Sequence, residues 1–371
     1  MSTASTTHLL VVELAPREGP FDPGAELRVR MCRTWAGDPV PAALGDAAGL
    51  VVMGETASTR EKVPVRPAEL TLLRTALEAE VPVLGVGEGA ELLTRAAGGE
   101  ARPGAVAAAW NDPLFAGVPD AWRVPHGSSD NLGLRAFRIG GSAWGIEFRA
   151  ETADAVTSPA DAVLPRFAAL VASRAARSAT RTFFTPKAAA WEERFAVDGP
   201  RYAAAVARMG LCPGQRALDV GCGSGRALPA LRTEVGAEGL VLGVELTPAM
   251  LTATAKEGRS GLARLLMADA CRLPLAAGAV DGVFSAGLIN HVPDPAQALG
   301  EWARVTARDG VLLLYHPSGR AERAARHGRP LDPSDPLAEE NLRPALHAAG
   351  WSLACCEDAR SHFLARAVRV T

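Results

Sequence analysis

Short apolar runs alternate with longer segments of helical periodicity along the whole chain. In the first half, His8–Leu14, Gly49–Met53, Val81–Val86 and Trp144–Phe148 are bounded by glycine, proline or polar residues and predict strands. Pro67 opens a helix on which Leu70, Leu73 and Leu77 recur at helical spacing, and a second helix, Ala90–Ala97, stops at Gly98-Gly99. The Ala-rich stretch Ser158–Ala179 predicts another helix, with a junction loop from Thr180 to Pro186. The second half predicts strands at Arg216–Val220, Leu240–Glu245, Val280–Ser285 and Val311–Tyr315, and a helix over Ala227–Glu234. Two final strands, near Trp351–Glu357 and Phe363–Val370, are joined by too few residues for a parallel crossover, so they pair antiparallel.

This alternation predicts an α/β fold class with two domains, residues 1–180 and 181–371. A chain of 371 residues is also too long for one ordinary core. With 48% hydrophobic residues and a formal net charge of -2, no basic stripe offers itself to phosphates, and no nucleic-acid partner is expected. Lysine occurs only at Lys62, Lys187 and Lys256, so the arginine excess reads as compositional bias. The apolar run Leu9–Val12 is too short for a signal segment or a membrane span, which points to a cytoplasmic protein without a membrane partner. The cysteines Cys32, Cys212, Cys222, Cys271, Cys355 and Cys356 lack zinc-site spacing, so neither a metal nor a disulfide framework is expected.

The chemistry concentrates at Leu218-Asp219-Val220-Gly221-Cys222-Gly223-Ser224-Gly225-Arg226, where a strand runs through alternate glycines into a helix. Such glycines admit a ligand close to the backbone, and the helix start offers unpaired N–H groups; by itself, the pattern also fits an ordinary tight turn. Glu245 ends the next strand, before a helix start at Thr247-Pro248 in which Thr247 is the cap. Met267-Ala268-Asp269-Ala270 and the strand Val280–Ser285, continued by the loop Ala286–Pro293, follow in order.

The G-x-G-x-G spacing differs from the dinucleotide fingerprint G-x-G-x-x-G and resembles motif I of the class I S-adenosylmethionine-dependent methyltransferases. The resemblance implies a Rossmann-like sheet ending in an antiparallel hairpin, with S-adenosylmethionine as cofactor. Asp219, Gly221, Gly223 and Gly225 would cradle its methionine part, and Glu245 with Leu246 would take the ribose. Asp269 and Ala270 would meet the adenine, while Ala286 opens the loop along the methyl-transfer channel.

Methyl transfer is an in-line displacement that depends on positioning, and a base is needed only where the acceptor must lose a proton. His291 and His316 follow the fourth and fifth strands, where ligands bind in open α/β sheets, and are the catalytic candidates. His291 equally fits a pocket-shaping role, and His316 a capped strand end. Arg320, Arg323, Arg326 and Arg329 read first as a solvated helix face, with a hold on a carboxylate substrate as the alternative. The aromatic lead-in, Phe183-Phe184 through Trp191, Phe195 and Tyr202, reads as a helix packed on the sheet or as a lid over the cofactor.

In the first half, Gly49–Gly54, Val81–Leu93, Asp112–Asp120 and Ala136-Phe137-Arg138 leading to Trp144–Phe148 resemble a class I glutamine amidotransferase domain, of flavodoxin-like α/β type. The resemblance implies a cysteine nucleophile, but Gly87 stands at that position, Arg149 at the histidine's, and Glu55 in place of a glycine of the oxyanion hole; only Glu151 keeps its acid. The domain then serves as a dimerisation surface, a cover for the acceptor pocket or a docking face, and a homodimer is among the expected assemblies. Together the motifs predict methyl transfer to a small-molecule acceptor, in bacterial metabolism or natural-product assembly, with the methylated atom left open. The competing reading is a catalytically silent, cofactor-binding regulatory protein. Because a glycine has no side chain to attack an amide and an arginine cannot act as base, incubation with glutamine should yield ammonia at the blank level; sustained release refutes the loss of the nucleophile.

Overall fold

The structure, a computed structural model, describes residues 7–16, 21, 27–54, 66–98, 107–108, 111–116, 118, 135–147, 159–195 and 198–370. The chain divides into two compact units, Met1–Ala175 and Ala176–Thr371. Both are α/β units built on mixed sheets.

In the first unit, β1 (His8–Glu13), β2 (Arg28–Arg33), β3 (Ala47–Met53), β4 (Val83–Val86), β5 (Ala107–Ala108), β6 (Arg135–Ile139) and β7 (Ala143–Glu147) lie in the order β2-β1-β3-β4-β7-β6-β5. β6 runs antiparallel to both neighbours, and the remaining pairings are parallel. Alternation along a strand sends successive side chains to opposite faces. Leu9, Val11, Val51 and Leu84 therefore share one buried layer with Val163, Phe167 and Val171 of α3 (Pro159–Phe184). Leu10, Val12, Leu50 and Val52 share the other with α1 (Pro67–Glu78) and α2 (Glu88–Ala96). The arginine-rich edge strand β2 escapes a hydropathy reading because Arg28, Arg30 and Arg33 alternate with its apolar residues.

Between β4 and α2 the chain turns at Gly87, whose φ of 57° is left-handed. Gly89 admits no side chain at all, since a Cβ there would lie 1.9 Å from the carbonyl oxygen of Val52. Glu88 is buried in this turn and accepts a hydrogen bond from Nε of Arg66 at 2.7 Å. Glu55, Arg149 and Glu151 lie outside the described residues.

The expected loop Thr180–Pro186 is not a loop. α3 continues to Phe184 and passes into a 3-10 helix, Thr185–Ala190, with Pro186 in its first turn. Ala175, Ala176, Arg177 and Ala179 are good helix formers and carry the helix through, while a proline in a first turn costs no hydrogen bond.

The second unit continues with α4 (Trp191–Phe195), α5 (Gly199–Ala207), β8 (Arg216–Val220), α6 (Leu228–Val235), β9 (Leu240–Glu245), α7 (Pro248–Lys256), β10 (Arg264–Met267) and β11 (Val280–Ala286). After these come α8 (Pro295–Val305), β12 (Thr306–His316), α9 (Arg320–Arg326), α10 (Glu339–Ala348), β13 (Trp351–Ala359) and β14 (His362–Arg369). The sheet order is β10-β9-β8-β11-β12-β14-β13, parallel from β10 to β12 and closed by the antiparallel β13–β14 pair that the sequence predicts. β14 lies between β12 and β13, so the hairpin inserts its second strand first.

Leu218, Val220 and Val244 pack on one side of this sheet with Trp302 and Trp351, while Ala217, Val241 and Phe284 pack on the other with Leu228 and Leu231. Among the described residues no helix is long and apolar enough to cross a membrane. Trp302 is fully buried and its indole N–H donates to the Ala270 carbonyl at 2.9 Å, fixing the segment after β10 to α8. Trp302→Ala should cost about 3–5 kcal/mol, read as a lower urea midpoint for the second unit; an unchanged midpoint contradicts this packing.

Candidate active site

The chain runs outward from β8 through β9 to β10 and then returns to place β11 on the other side of β8. Strand order reverses there, and in open α/β sheets a crevice opens at the carboxyl ends of the strands at such a point. A cavity of about 470 Å³ lies at this place, its walls contributed by the second unit and including Gly221, Gly223, Glu245, Asp269, His291 and His316.

Left-handed φ angles of 71° at Gly221 and 55° at Gly223 let the turn after β8 curl without side chains. A Cβ on Gly223 would project into open space, whereas one on Gly221 would come within 2.8 Å of Leu288. Gly225 does not line the cavity; the space beside its Cα is filled by Leu228 and Thr254, each 2.8 Å from where a Cβ would stand. It holds the turn against α6 and α7.

Glu245 ends β9 and joins three pieces of chain. Its Oε2 accepts from the Gly223 N–H at 3.1 Å and its Oε1 from the Thr247 N–H at 2.8 Å. Thr247 therefore starts α7 with its backbone rather than as a side-chain cap, and its hydroxyl is buried without a partner among the described residues. The acid before it does the capping from outside the helix. Leu246, Ala270 and Ala286 also line the cavity. Asp269 accepts from the Cys271 N–H at 2.9 Å and from Arg177 at 3.1 Å, while Nε of Arg181 donates to the Leu246 carbonyl at 3.1 Å. Both arginines belong to the end of α3, a segment in which no motif points to site residues.

Asp219 is fully buried, does not line the cavity wall, and has no hydrogen-bond donor among the described residues. Burial, with the nearby negative charge of Glu245, pushes its carboxyl up to about 8. Glu192 of α4 shows the opposite balance: burial would raise it, but hydrogen bonds from Arg259, Ser224 and Arg226 outweigh that and hold it at about 2. Arg226 also donates to the Trp191 carbonyl at 2.9 Å, so the aromatic lead-in is tied to the glycine turn. No motif announces this cluster, because Glu192 is separated from its partners by 32, 34 and 67 residues.

The histidines close the other side. His291 packs edge-on against Phe184, with ring centroids 5.2 Å apart, and burial together with Arg323 and Lys187 lowers its pKa. Nδ1 of His316 lies 2.9 Å from the Ser318 carbonyl oxygen and 3.1 Å from the Ser318 N–H. Burial, then the positive charge of Arg323, pulls His316 down to about 4, so both imidazoles are neutral at pH 7.

The arginine stretch departs from a solvated face. Arg320 is half-buried against Asp335 at 3.0 Å and Asp358 at 3.6 Å, and Arg323 lines the cavity. Arg326 is exposed as expected, although it also reaches the cavity rim. This half-buried pair finds its acids later in the chain, which helical spacing alone cannot reveal. Among the described residues no group of three or more His, Cys, Asp or Glu side chains is placed to hold a metal ion.

Residues 218–314 match the methyltransferase domain family. An uncharacterized 37.1 kDa protein in a transposon of Streptomyces fradiae is 35% identical over 106 residues, 28% of this chain and 31% of that protein. Aklanonic acid methyltransferase of a Streptomyces species is 32% identical over 111 residues, 29% of this chain and 50% of that enzyme. The chain thus spans half or less of the length of these two curated relatives. A crystal structure of magnesium protoporphyrin IX methyltransferase from Synechocystis with bound S-adenosylhomocysteine covers 52% of this chain and 99% of its own, at 17% identity and a TM-score of 0.41. The match to a methyltransferase domain, residues 218–314, lies wholly within the second unit.

A carboxyl held at about 8 binds its proton more tightly in the folded chain than in the unfolded one, whose value is near 3.8. Stability of the ligand-free protein should therefore fall as pH rises from about 4 to about 8 and level off above, with a slope of up to about 1.4 kcal/mol per pH unit. Asp219→Asn should flatten this dependence and unfold later than the parent at pH 9; parallel melting curves for the two proteins across pH 5–9 contradict the assignment.

Proposed function

We propose that the second unit transfers a methyl group from S-adenosylmethionine to a small organic acceptor, and that the first unit is a non-catalytic partner domain. The observation that carries the reading is Glu245: an acid with two backbone N–H groups on it, facing a cavity whose wall is glycine on the other side. A carboxylate so oriented retains lone pairs for a pair of vicinal hydroxyls. When bound, S-adenosylmethionine supplies an electrophilic methyl group on a sulfonium.

In this reading Gly221 and Gly223 let the methionine part approach the backbone, with Gly225 packing the turn behind them. Asp219 is the nearby acid for its ammonium, and a cation there would relieve the cost of ionising a carboxyl held at about 8. Glu245 and Leu246 take the ribose, Asp269 and Ala270 the adenine edge, and Ala286 the start of the acceptor channel. His291 shapes the pocket with Phe184. His316, neutral at pH 7 and with Nε2 unpartnered among the described residues, can accept a proton from an acceptor hydroxyl or donate a hydrogen bond, depending on its tautomer. The aromatic lead-in, tethered through Glu192, excludes water from the transfer.

The likeness to an aklanonic acid methyltransferase supports an acceptor from natural-product biosynthesis. For the first unit, the glycine at the β4–α2 turn supports an amidotransferase-like frame without its nucleophile, serving as scaffold, substrate cover or dimerisation module.

A hydrogen bond to a charged group is worth about 1.5–3 kcal/mol, which corresponds to about 10–100-fold in affinity. Calorimetry with S-adenosylhomocysteine should show Glu245→Ala binding at least tenfold more weakly than the parent. Equal affinity in the two proteins removes Glu245 from the cofactor site, and absence of heat with the parent overturns the function itself.

A further inference from the structure

The two ends of the cavity differ in charge. Glu245 follows β9 and His316 follows β12, with β8 and β11 between them, so these ends stand roughly 14 Å apart at about 4.8 Å per strand. Carboxylates mark the β9 end, where Glu245 and Asp269 are both satisfied by donors. Cations mark the β12 end: Arg201 donates to the Pro317 carbonyl at 3.4 Å, Arg323 and Arg326 stand near enough to His316 to lower its pKa, and all three line the cavity, as does Lys187 near His291. Its one lining acid, among the described residues, is Asp198, which pairs with Arg201 at 3.2 Å and Arg226 at 3.9 Å.

Arg323 is the cation left in deficit. Its Nε is buried without a hydrogen-bond acceptor among the described residues, and its terminal nitrogen stands 3.8 Å from Asp335. That acid is already engaged by Arg320 at 3.0 Å and by the Leu337 N–H at 2.9 Å. A guanidinium with so little compensation is expensive to keep out of water, and burial lowers its pKa. Nearby, Phe183, Phe184 and Trp191 form an edge-on aromatic series with centroids 4.9 and 5.9 Å apart, and all three line the cavity. The methyl donor is itself a cation, so a donor and a guanidinium that shares its acids Asp335 and Asp358 with Arg320 repel each other in one cavity unless an anion enters with them.

We propose that the β12 end of the cavity binds an aromatic carboxylate as the acceptor, its carboxylate against Arg323 and its ring against Phe183 and Phe184. The inference rests on the methyl-transfer reading above and adds to it the charge and shape of the acceptor. A planar carboxylate matches the guanidinium fork, and the aromatic wall offers the ring edge-to-face contacts.

The test uses the full chain saturated with S-adenosylhomocysteine and titrated with 2-naphthoate or with its neutral isostere 2-naphthamide. The acid should bind at least tenfold more tightly than the amide. In Arg323→Gln that preference should fall below twofold while S-adenosylhomocysteine affinity stays within twofold of the parent; should Arg323→Gln fail to fold, Arg323→Lys must narrow the preference. The proposal is overturned if the parent binds no naphthoate, if it does not prefer the acid, or if the preference survives both substitutions. A loss of S-adenosylhomocysteine affinity in Arg323→Gln equally overturns it, by assigning the arginine to the cofactor. Absence of heat with S-adenosylhomocysteine in the parent overturns the methyl-transfer reading instead, and the two failures are therefore told apart in one set of titrations.

Discussion

The carboxylate of Glu245 is the joint on which the site is built. By accepting one N–H from the glycine turn after β8 and one from the start of α7, it ties the end of β8 to the junction of β9 and α7. It also places a negative charge near Asp219, and this charge together with burial keeps that carboxyl protonated over most of the neutral range. Two acids in one low-dielectric corner are costly to ionise together. Ionising Asp219 therefore costs stability in the ligand-free chain. The flanking devices make sense as containment. Trp302 secures the segment after β10 from below, and the Glu192 cluster secures the lead-in from the side.

How much of this is legible in the sequence depends on whether a signal is local. The strands of the second unit read well because each is a compact apolar run, and β8 and β9 coincide with their predicted bounds. The glycine turn and Glu245 read well because their spacing is itself the geometry. β10 did not, since Arg264-Leu265-Leu266-Met267 is four residues with both ends exposed and only the two leucines half-buried. The helix running through Thr180–Phe184 was hidden by Pro186, which looks like a terminator until the 3-10 turn that accommodates it is seen.

Contacts between distant segments were not legible at all. Arg177 and Arg181 reach Asp269 and Leu246 across 92 and 65 residues, and Glu192 reaches Arg259 across 67. Arg320 and Arg323 looked like a wetted helix face because their acids, Asp335 and Asp358, come later in the chain and carry no mark of partnership. Thr247 shows the reverse error: it has the right residue type for a cap, but its hydroxyl makes no hydrogen bond among the described residues, and Glu245 accepts its own backbone N–H.

The insertion of β14 between β12 and β13 bears on how the molecule is made. β12 has its inner neighbour as soon as β11 is present, yet its outer edge and the whole of β13 remain without hydrogen-bonded partners until residues His362–Arg369 arrive. During synthesis on the ribosome the growing polypeptide must carry these open edges, an invitation to mispairing with other chains. The second unit can therefore close its sheet only after β14 has emerged, and a chaperone that shields β12 in that interval would act at the step where this topology is most vulnerable.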